Sequence, residues 1–263
     1  MSLLRDQTTW LQGDQFHCLQ PPVVSDRTWH LVLLGPPGVG KGTQTALLTA
    51  ALGACPLSTG DIFRAARERA STLDTAMADA QELMQSGRLV PDDVVLSIMR
   101  DRRACLRCPA GFLLDGFPRT LAQAVALDGL LAAERVQLDA VIHYDLPAME
   151  LAGRIAGRRM CGNCHALYHL VSRPPRTCGV CDLCGAPLLQ RRDDEPSAIR
   201  ARLEVHAAAI APVVDYYRRR KLLLTIDAAE ESDVIFEQTL EGLAARGFRV
   251  PSAAAVAVAL ATA

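Results

Sequence analysis

Aromatic residues and long apolar runs are the features that this chain lacks most clearly. Only 5% of its 263 residues are Phe, Trp or Tyr, which disfavours a surface that stacks the bases of single-stranded nucleic acid. No stretch reaches the roughly 18 consecutive apolar residues that a membrane-spanning helix needs. Residues 1–22 are polar and interrupted, without the apolar centre of a signal peptide, so we expect no export signal.

An excess of either charge is also missing. The 28 Lys and Arg residues nearly balance the 29 Asp and Glu residues, and the formal net charge is −1. Such a chain has no overall attraction to nucleic acid or to an acidic membrane, although a local basic cleft remains compatible with these numbers. Half of the residues are apolar and 22% are charged, which predicts a packed, soluble globular protein and excludes global disorder.

Cysteine is frequent, but its pattern does not indicate a secreted protein. Nine cysteines are present, and six of them form three Cys-x-x-Cys pairs. An odd total with this spacing fits metal ligation or redox chemistry better than a disulfide framework. We therefore expect a reduced, cytoplasmic protein.

The order of the apolar runs predicts strands that alternate with helices. The candidate buried strands are His30–Leu34, Phe112–Leu114, Val141–Tyr144 and Leu222–Ile226. Helical spacing covers Lys41–Leu52, Thr120–Arg135 and Met149–Arg158. This alternation implies crossover connections and an α/β fold with a central parallel sheet between two layers of helices.

Two segments interrupt the alternation and two more lie outside it. Ser58–Arg88 has helical spacing with no strand, and Arg159–Asp194 is rich in cysteine and in short Gly/Pro turns, so both are interpreted as insertions. Residues 1–28 lack periodicity and are interpreted as an extension. Pro251–Ala263 is rich in Ala and Val, and a frayed end is its simplest interpretation.

A glycine-rich loop follows the first predicted strand. Gly35–Thr43 reads Gly-Pro-Pro-Gly-Val-Gly-Lys-Gly-Thr between a strand and a helix, the context that the G-x-x-x-x-G-K phosphate-binding motif requires. The loop N–H groups and the helix N-terminus stabilise a phosphate, and Lys41 adds a point charge at the transferring group. Gly42 stands where the common motif has a hydroxyl for Mg²⁺, and the Asn-Lys-x-Asp signature is absent, so a GTP-binding switch is not expected.

Three motifs in the same order resemble those of the adenylate kinases, a family of nucleoside monophosphate kinases. They are Gly-x-Pro-Gly-x-Gly-Lys-Gly-Thr-Gln at 35–44, Ser-Thr-Gly-Asp-x-x-Arg at 58–64 and Leu-Asp-Gly-Phe-Pro-Arg-Thr-x-x-Gln at 114–123. The resemblance continues through 157–159, 168–169, 191–194 and 200–202, and spans about residues 30–245. It implies a P-loop NTPase-like three-layer core, and direct in-line transfer of the terminal phosphoryl group of Mg-ATP to AMP, giving two ADP.

The resemblance also implies the residues of two nucleotide sites. The ATP site would comprise Gly38, Val39, Gly40, Lys41, Gly42, Thr43, Arg158, Leu167, Tyr168 and Glu230. The AMP site would comprise Thr59, Arg64, Arg88, Leu89, Val90, Gly116, Phe117, Pro118, Arg119, Gln123, Arg191 and Arg202. The implied catalytic residues are Lys41, Arg119, Arg158, Arg191 and Arg202, and Asp115 is expected to orient Mg²⁺ through water.

The chemistry of phosphoryl transfer supports a cleft rich in arginine. The reaction brings many negative charges together and depends on positioning and cationic groups rather than on a nucleophile. The planar guanidinium binds phosphate oxygens in pairs and stays charged. Arg192 is an alternative to Arg191 under a one-residue shift of the alignment. Asp193 and Asp194 either pair with arginines when the cleft closes or form a solvated acidic turn.

One departure from the family pattern concerns the ATP adenine. After the last predicted strand the family usually has Asp-Gly, whereas Ala228 follows Asp227 here. A turn that depends on glycine would be altered, so the assignment of Glu230 depends on how this turn forms.

Two of the Cys-x-x-Cys pairs have the spacing of a metal site. Cys161/Cys164 and Cys181/Cys184 offer four thiolates, the closed tetrahedral set of a structural Zn²⁺, and resemble the zinc-bearing lid of some bacterial adenylate kinases. We expect the metal to stabilise an insertion that is too short to build a core. Fe²⁺, a lid disulfide, and Cys178 as a substitute ligand beside Cys181 are the alternatives.

The remaining cysteines carry no predicted function. Cys105-x-x-Cys108 shows no feature of a low-pKa thiol, and we interpret the pair as inert. Cys18 and Cys55 show no pattern.

The resemblance divides the chain into five parts. They are an N-terminal extension (1–28), a P-loop kinase core (29–57, 89–156 and 195–250), an NMP-binding insertion (58–88), a zinc-ribbon-like lid (157–194) and a C-terminal tail (251–263). The expected ligands are ATP, AMP, ADP, Mg²⁺ and a structural Zn²⁺. We expect a monomer that binds neither nucleic acid nor membranes.

Three other functions remain as alternatives. The nearest is a kinase of the same architecture that acts on UMP or CMP, although the cysteine lid and Thr120 with Gln123 favour AMP. The others are a nucleic-acid-binding zinc ribbon joined to a regulatory NTPase, and a silent family member that only binds nucleotides.

Overall fold

A computed structural model describes residues 8–13, 27–68, 75–164, 166–190, 194, 196–253 and 256. In chain order its elements are α1 (Thr8–Gln12), β1 (Trp29–Leu34), α2 (Lys41–Leu52), β2 (Cys55–Ser58), α3 (Thr59–Glu68), α4 (Thr75–Gln85), α5 (Asp92–Arg100), α6 (Arg103–Leu106), β3 (Gly111–Asp115), α7 (Leu121–Ala133), β4 (Ala140–Asp145), α8 (Ala148–Ala156), β5 (Arg158–Cys161), β6 (Leu167–His169), β7 (Leu188–Leu189), α9 (Pro196–Arg219), β8 (Leu223–Asp227) and α10 (Ser232–Ala245).

Five parallel strands form the central sheet in the order β2-β3-β1-β4-β8. Alternate residues of β1 face opposite sides, because successive side chains of a strand point to opposite faces. Val32 and Leu34 join a core with α3, α5, α7 and α9, and Leu31 and Leu33 join a second core with α2 and α10. The sheet is therefore buried on both faces, and the predicted α/β fold with a central parallel sheet is confirmed.

The ends of the helices follow local chemistry. Helix α2 ends at Gly53, whose φ of 73° is the left-handed conformation common after a helix. Helix α7 begins after Thr120, whose hydroxyl accepts a hydrogen bond from the N–H of Gln123. The predicted helix Met149–Arg158 was too long, because α8 ends at Ala156 and Arg158 begins strand β5.

Several elements, among them β2 and α1, were not predicted from the sequence. Strand β2 ends at Ser58, which the sequence pattern assigns to a helical segment; the strand pairs with β3 at the edge of the sheet. Helix α1 lies within the predicted extension, and its Trp10 is only 1% exposed. Both depend on contacts with distant residues, which a local pattern does not report.

The cysteine-rich insertion forms a small sheet of its own. Strands β6, β5 and β7 pair antiparallel in that order. In the C-terminal tail, Val256 is buried in the second core, so this part of the tail is packed rather than frayed. Within the described residues, no helix is both long and apolar enough to cross a membrane.

Candidate active site and metal centre

The glycine-rich loop connects β1 to α2 and curls around the side chain of Lys41. The Nζ atom of Lys41 donates hydrogen bonds to the carbonyl oxygens of Gly35 at 2.8 Å and Pro36 at 3.0 Å. Gly38 has a φ of 83°, and a Cβ atom there would lie 2.4 Å from Cγ1 of Ile155. Only glycine fits this position, so the loop approaches α8 closely enough to form a cradle for an anion.

The charges around Lys41 show which side chains share its cleft. Burial lowers the pKa of Lys41 to about 8; the carboxylate of Asp115 opposes this shift, and Arg119, Arg202 and Arg158 add to it. These groups come from the start of α2, from the end of β3 and the loop after it, from β5 and from α9. They meet at the carboxyl edge of the sheet, where ligands bind in open α/β folds.

A histidine that sequence reasoning missed lies in the same cationic environment. His206 follows Arg202 by one turn of α9, and burial, with smaller effects of Lys41 and Arg119, lowers its pKa to about 3. Its Nε2 atom is buried without a hydrogen-bond partner among the described residues. His206 is thus a neutral ring behind the cleft, and its spacing from Arg202 was the available sequence clue.

Asp115 ends β3 and directs a carboxylate into the cleft. Its Oδ1 atom is buried and has no hydrogen-bond partner within the described part of the chain. A buried carboxylate oxygen beside a phosphate loop offers a hard ligand or a hydrogen-bond acceptor for the water shell of Mg²⁺. The donor set therefore fits a magnesium–nucleotide complex.

The loop after β3 places Arg119 beside Thr59. The Nε atom of Arg119 donates to the carbonyl oxygen of Gly116 at 2.8 Å, and Phe117 is fully buried under the loop. Gly116 has a φ of 83°, and a Cβ atom there would lie 2.7 Å from Oγ1 of Thr59. The loop and the start of α3 thus form one continuous wall.

A pocket lies between this wall and the start of α5. Its lining consists of Thr59, Phe63, Met84, Leu89, Val90, Val95, Gly116, Arg119 and Gln123. An apolar pocket that ends in an arginine is suited to a flat base at one end and a phosphate at the other. The structure brings six of the predicted AMP-site residues together here.

Gln123 is held in place by a partner that sequence analysis missed. The side chain is 2% exposed, its Nε2 donates to Oδ1 of Asp92 at 2.7 Å, and its Oε1 accepts from the N–H of Arg119 at 2.7 Å. The other carboxylate oxygen of Asp92 accepts from the hydroxyl of Thr120 at 2.8 Å. A primary amide has four hydrogen-bonding positions, so one donor and one acceptor remain for a base edge.

Two further predicted AMP-site arginines lie at the rim. Arg64 pairs with Asp61 through its guanidinium, and a Cβ atom on Gly60 would lie 3.0 Å from its Nη atoms. Arg88 is exposed and donates from Nε to the hydroxyl of Ser86 at 3.1 Å. Arg64 therefore lies over the first turn of α3, next to Thr59.

Asp194 links the lid strand to α9. Arg158 binds both carboxylate oxygens of Asp194, with Nε to Oδ2 at 2.8 Å, and Arg202 reaches Oδ1 at 3.2 Å. The side chain of Asp194 has 0% exposure, so the solvated-turn interpretation is wrong for this residue. Arg191, Arg192 and Asp193, which the sequence motifs also single out, lie outside the described residues.

The predicted ATP adenine region is formed by the lid and by the turn after β8. A Cβ atom on Gly42 would lie 2.9 Å from Cδ1 of Leu167, so β6 lies directly over the phosphate loop. Arg154, which sequence analysis missed, donates to the carbonyl oxygens of Ala228 at 2.8 Å and Ala229 at 2.9 Å. Glu230 is exposed at the end of this turn.

The turn after β8 forms without the family's glycine. The carboxylate of Asp227 accepts a hydrogen bond from the N–H of Ala229 at 3.0 Å, and Ala228 does not take a positive φ. An aspartate that bonds two residues ahead makes a turn with its own side chain. The substitution is therefore accommodated locally.

The four lid cysteines converge on one point. The Sγ atoms of Cys161, Cys164, Cys181 and Cys184 all lie within 4.8 Å of one another. The N–H groups of Asn163 and Cys164 each donate to Sγ of Cys161 at 3.4 Å, which shields the charge of a thiolate. Four thiolates around Zn²⁺ would stand about 3.8 Å apart, so the donor set fits a closed tetrahedral site.

Tyr168 connects this cluster to the lid sheet. Its hydroxyl lies 3.4 Å from Sγ of Cys181 and accepts from the N–H of Asp182 at 2.8 Å. The hydrogen bond to Tyr168 lowers the pKa of Cys181 to about 6, which favours the thiolate that a metal requires. Cys178 is exposed and stands outside the cluster.

Two cysteines without a predicted role lie next to each other. Sγ of Cys55 in β2 is 3.4 Å from Sγ of Cys108, which follows α6. They are 53 positions apart in the chain, so no spacing rule reveals the contact. Cys105 is buried.

Comparison with known proteins identifies the family. The family model described as "Adenylate kinase" matches residues 33–222. The chain is 44% identical over 206 residues to the adenylate kinase of Carboxydothermus hydrogenoformans, with 78% of this chain and 95% of that protein covered. It is 44% identical over 216 residues to that of Streptomyces griseus, with 82% and 97% covered, and 44% identical over 204 residues to that of Methanocella arvoryzae, with 78% and 93% covered.

The family match covers most of the described cleft and ends before the turn that follows β8. The matched residues include the phosphate loop, the pocket under Arg119, the cysteine cluster and all of α9. With a family-model match over more than two thirds of its length and relatives at this identity, the chain belongs to the adenylate kinase family.

Proposed function

We propose that this cleft catalyses the reversible transfer of the terminal phosphoryl group of ATP to AMP, giving two ADP. The observation that carries the proposal is the grouping of Lys41 with Arg119, Arg158 and Arg202 beside a mainly apolar pocket. A cationic cleft of this kind stabilises a transferring phosphoryl group and needs no covalent intermediate.

The phosphate loop holds the ATP phosphates. Backbone N–H groups of Gly38, Val39, Gly40, Gly42 and Thr43 surround the β-phosphate, and Lys41 moves from its two loop carbonyls to the phosphate oxygens. The adenine of ATP lies between Arg158, Leu167, Tyr168 and the turn before Glu230. Arg154 supports that turn through its two carbonyl contacts and so belongs to the same site.

The pocket under Arg119 holds AMP. Thr59, the backbone at Arg88, Leu89 and Val90, and the amide of Gln123 surround the base, since an amide both donates to and accepts from the adenine edge. Arg64, Arg119 and Arg202 bind the monophosphate. The loop of Gly116, Phe117 and Pro118 carries Arg119 into place.

The reacting phosphates of the two nucleotides then meet in line above Lys41. Arg158, Arg191 and Arg202 neutralise the charge that spreads over the transferring group, and Asp194 orients two of these guanidinium groups before substrate arrives. Asp115 would hold Mg²⁺ through its water shell, and the bound ion screens the charge between the β- and γ-phosphates of ATP. Closure of the lid and the NMP-binding insertion excludes water as a competing acceptor.

The division of the chain into core, NMP-binding insertion (58–88) and lid (157–194) belongs to this proposal. The lid cysteines would hold a structural Zn²⁺, which has no open coordination position and takes no part in transfer. We propose that the enzyme works as a monomer in the cytoplasm, where its clustered thiols stay reduced and both nucleotides are available.

ATP binding is expected to take up a proton near pH 8. Lys41 has a pKa of about 8 in the nucleotide-free protein, and the phosphates of ATP favour its charged form. Below pH 8 the lysine is already charged, so its titration leaves the dissociation constant for ATP independent of pH. Above pH 8 the dissociation constant rises by up to about tenfold per pH unit.

Isothermal titration in buffers of different ionisation heat measures this proton directly. About half a proton per ATP is expected at pH 8 and nearly one at pH 9. The matched control is Lys41→Arg, which keeps the charge but does not titrate, so its proton uptake should vanish. Uptake that persists in this variant would assign the proton to another group.

The substrate assay tests the function itself. ADP formation is measured from Mg-ATP with AMP, CMP, UMP or GMP as the acceptor. Turnover confined to AMP is expected, because the relatives that match this chain at 44% identity are adenylate kinases. A preference for CMP or UMP would be consistent with the kinase fold and mechanism but would overturn the assignment of the acceptor base as adenine. No transfer to any acceptor would overturn the kinase proposal and leave a nucleotide-binding role.

A further inference from the structure

Helix α1 lies outside the matched family region and yet is buried against the AMP side of the molecule. Trp10 is 1% exposed and Thr9 is 7% exposed. The indole belongs to the core that contains Leu57, Ile62 and Phe63, at the junction of β2 and α3. An extension that merely precedes the enzyme would have no reason to bury its largest side chain there.

The indole also makes a directed contact with the backbone of the AMP site. Nε1 of Trp10 donates to the carbonyl oxygen of Ser58 at 2.9 Å. Ser58 ends β2, the edge strand of the sheet, and the next residue is Thr59, which lines the pocket. The hydrogen bond therefore fixes the junction at which β2 ends and α3 begins.

A second contact ties the same helix to α5. Nε of Arg102 donates to the carbonyl oxygen of Trp10 at 2.5 Å, and its Nη1 donates to that of Ile98 at 3.2 Å. Arg102 is a buried charge, and such a group is retained where its hydrogen bonds are satisfied. The path Ser58–Trp10–Arg102–Ile98 joins the end of β2 to the end of α5.

Helix α3, which follows Ser58, and helix α5, which contains Ile98, both contribute to the lining of one pocket. Thr59 and Phe63 come from α3, whereas Val90 and Val95 lie just before α5 and within its first turn. Phe63 shares a core with Trp10, so a shift of the indole is transmitted to the pocket lining. Helix α2, which follows the phosphate loop, packs against the other face of the sheet, in the core that does not include Trp10.

We propose that α1 is a positioning element for AMP, with Trp10 as its key residue. The path Ser58–Trp10–Arg102–Ile98 keeps α3 and α5 at the separation that AMP requires. Loosening it lowers the fraction of molecules that are competent to bind, and apparent affinity falls by that fraction. The effect falls on AMP and spares ATP. This inference rests on the proposed function, since it assigns the pocket to AMP.

The test is a comparison of Michaelis constants in Trp10→Phe and Trp29→Phe. Trp10→Phe keeps an aromatic ring in the core and removes the N–H that binds Ser58. Trp29 is the matched control, because it is equally buried but lies in the other core. Arg102→Lys removes the fork that bridges Trp10 and Ile98 and keeps the charge.

KM for AMP is expected to rise about threefold to tenfold in Trp10→Phe and in Arg102→Lys, with KM for ATP within about twofold of wild type. The double variant should show no more than the larger single effect, since both changes break one path. In Trp29→Phe both constants should stay within twofold, even where its melting temperature falls as far as that of Trp10→Phe.

Each other result overturns the inference. Equal rises of both Michaelis constants, or a lower melting temperature with unchanged KM for AMP, would make α1 a structural cover only. A wild-type enzyme that forms no ADP from ATP and AMP would instead overturn the proposed function. Failure of the inference is therefore seen in the variants, whereas failure of the proposed function is seen in the wild-type enzyme.

Discussion

Replacing Arg119 by alanine is expected to lower kcat/KM for AMP phosphorylation about a hundredfold to a thousandfold. The side chain lies between the AMP pocket and Lys41, with its Nε fixed on the carbonyl of Gly116. A preorganised cation that meets charge in the transition state contributes far more than one in water. Alanine removes that contact and leaves the neighbouring phosphate uncompensated.

The size of the effect distinguishes a phosphate clamp from a structural arginine. Arg107→Ala is the matched control, because Arg107 is 60% exposed and pairs with Glu134 at the surface, so we expect its activity within about twofold of wild type. Arg119→Lys should fall between the two, since it keeps the charge and loses the planar fork. A loss below tenfold in Arg119→Ala would remove Arg119 from the catalytic set.

Replacing Cys184 by serine is expected to release the lid metal. Among the described lid residues, the small core contains Tyr168 as its one buried side chain besides cysteine, with Ala166, Ala186 and Leu188 partly buried around it. So small a cluster cannot order the insertion, whereas a Cys₄ zinc site contributes on the order of 10–16 kcal/mol of binding free energy. Without metal, β5 loses its support and Arg158 its position, so kcat should fall at least tenfold.

Metal analysis of two serine variants decides the ligand set. Wild type and Cys178→Ser should each carry about one metal per chain, and Cys184→Ser close to none. The opposite pattern would assign the pair Cys178/Cys181 instead. Elemental mass spectrometry separates zinc from iron, and a loss of titratable thiols without any metal would indicate a lid disulfide.

Local motifs account for much of the site. The phosphate loop depends on glycines that lie close together in the chain, and Thr120 caps α7 three residues before Gln123. The cysteine pairs each form a single turn. In such cases the chemistry is contained within a few consecutive residues, so their order is sufficient to predict it.

Contacts between distant segments could not be predicted in the same way. Asp92 holds Gln123 and Cys55 lies next to Cys108, and no pattern along the chain brings these partners together. Strand β2 was missed because four residues at a sheet edge show no periodicity. Burial decided between the two interpretations of Asp194: its side chain has 0% exposure and pairs with Arg158 and Arg202, so pairing with arginines is the correct one.

The amino-acid order by itself therefore determined the fold class, the phosphate loop, the strand end that bears Asp115 with the following loop that carries Arg119, and the four clustered cysteines. Each is a short segment whose hydrogen-bonding and backbone requirements are met locally. Tertiary structure alone decided that Arg158 and Arg202 share the carboxylate of Asp194, how Gln123 is oriented, and that Trp10 is buried next to the start of α3, which lines the pocket. Those arrangements arise when apolar faces pack and bring remote groups within hydrogen-bonding distance, where partners must be found for every buried charge.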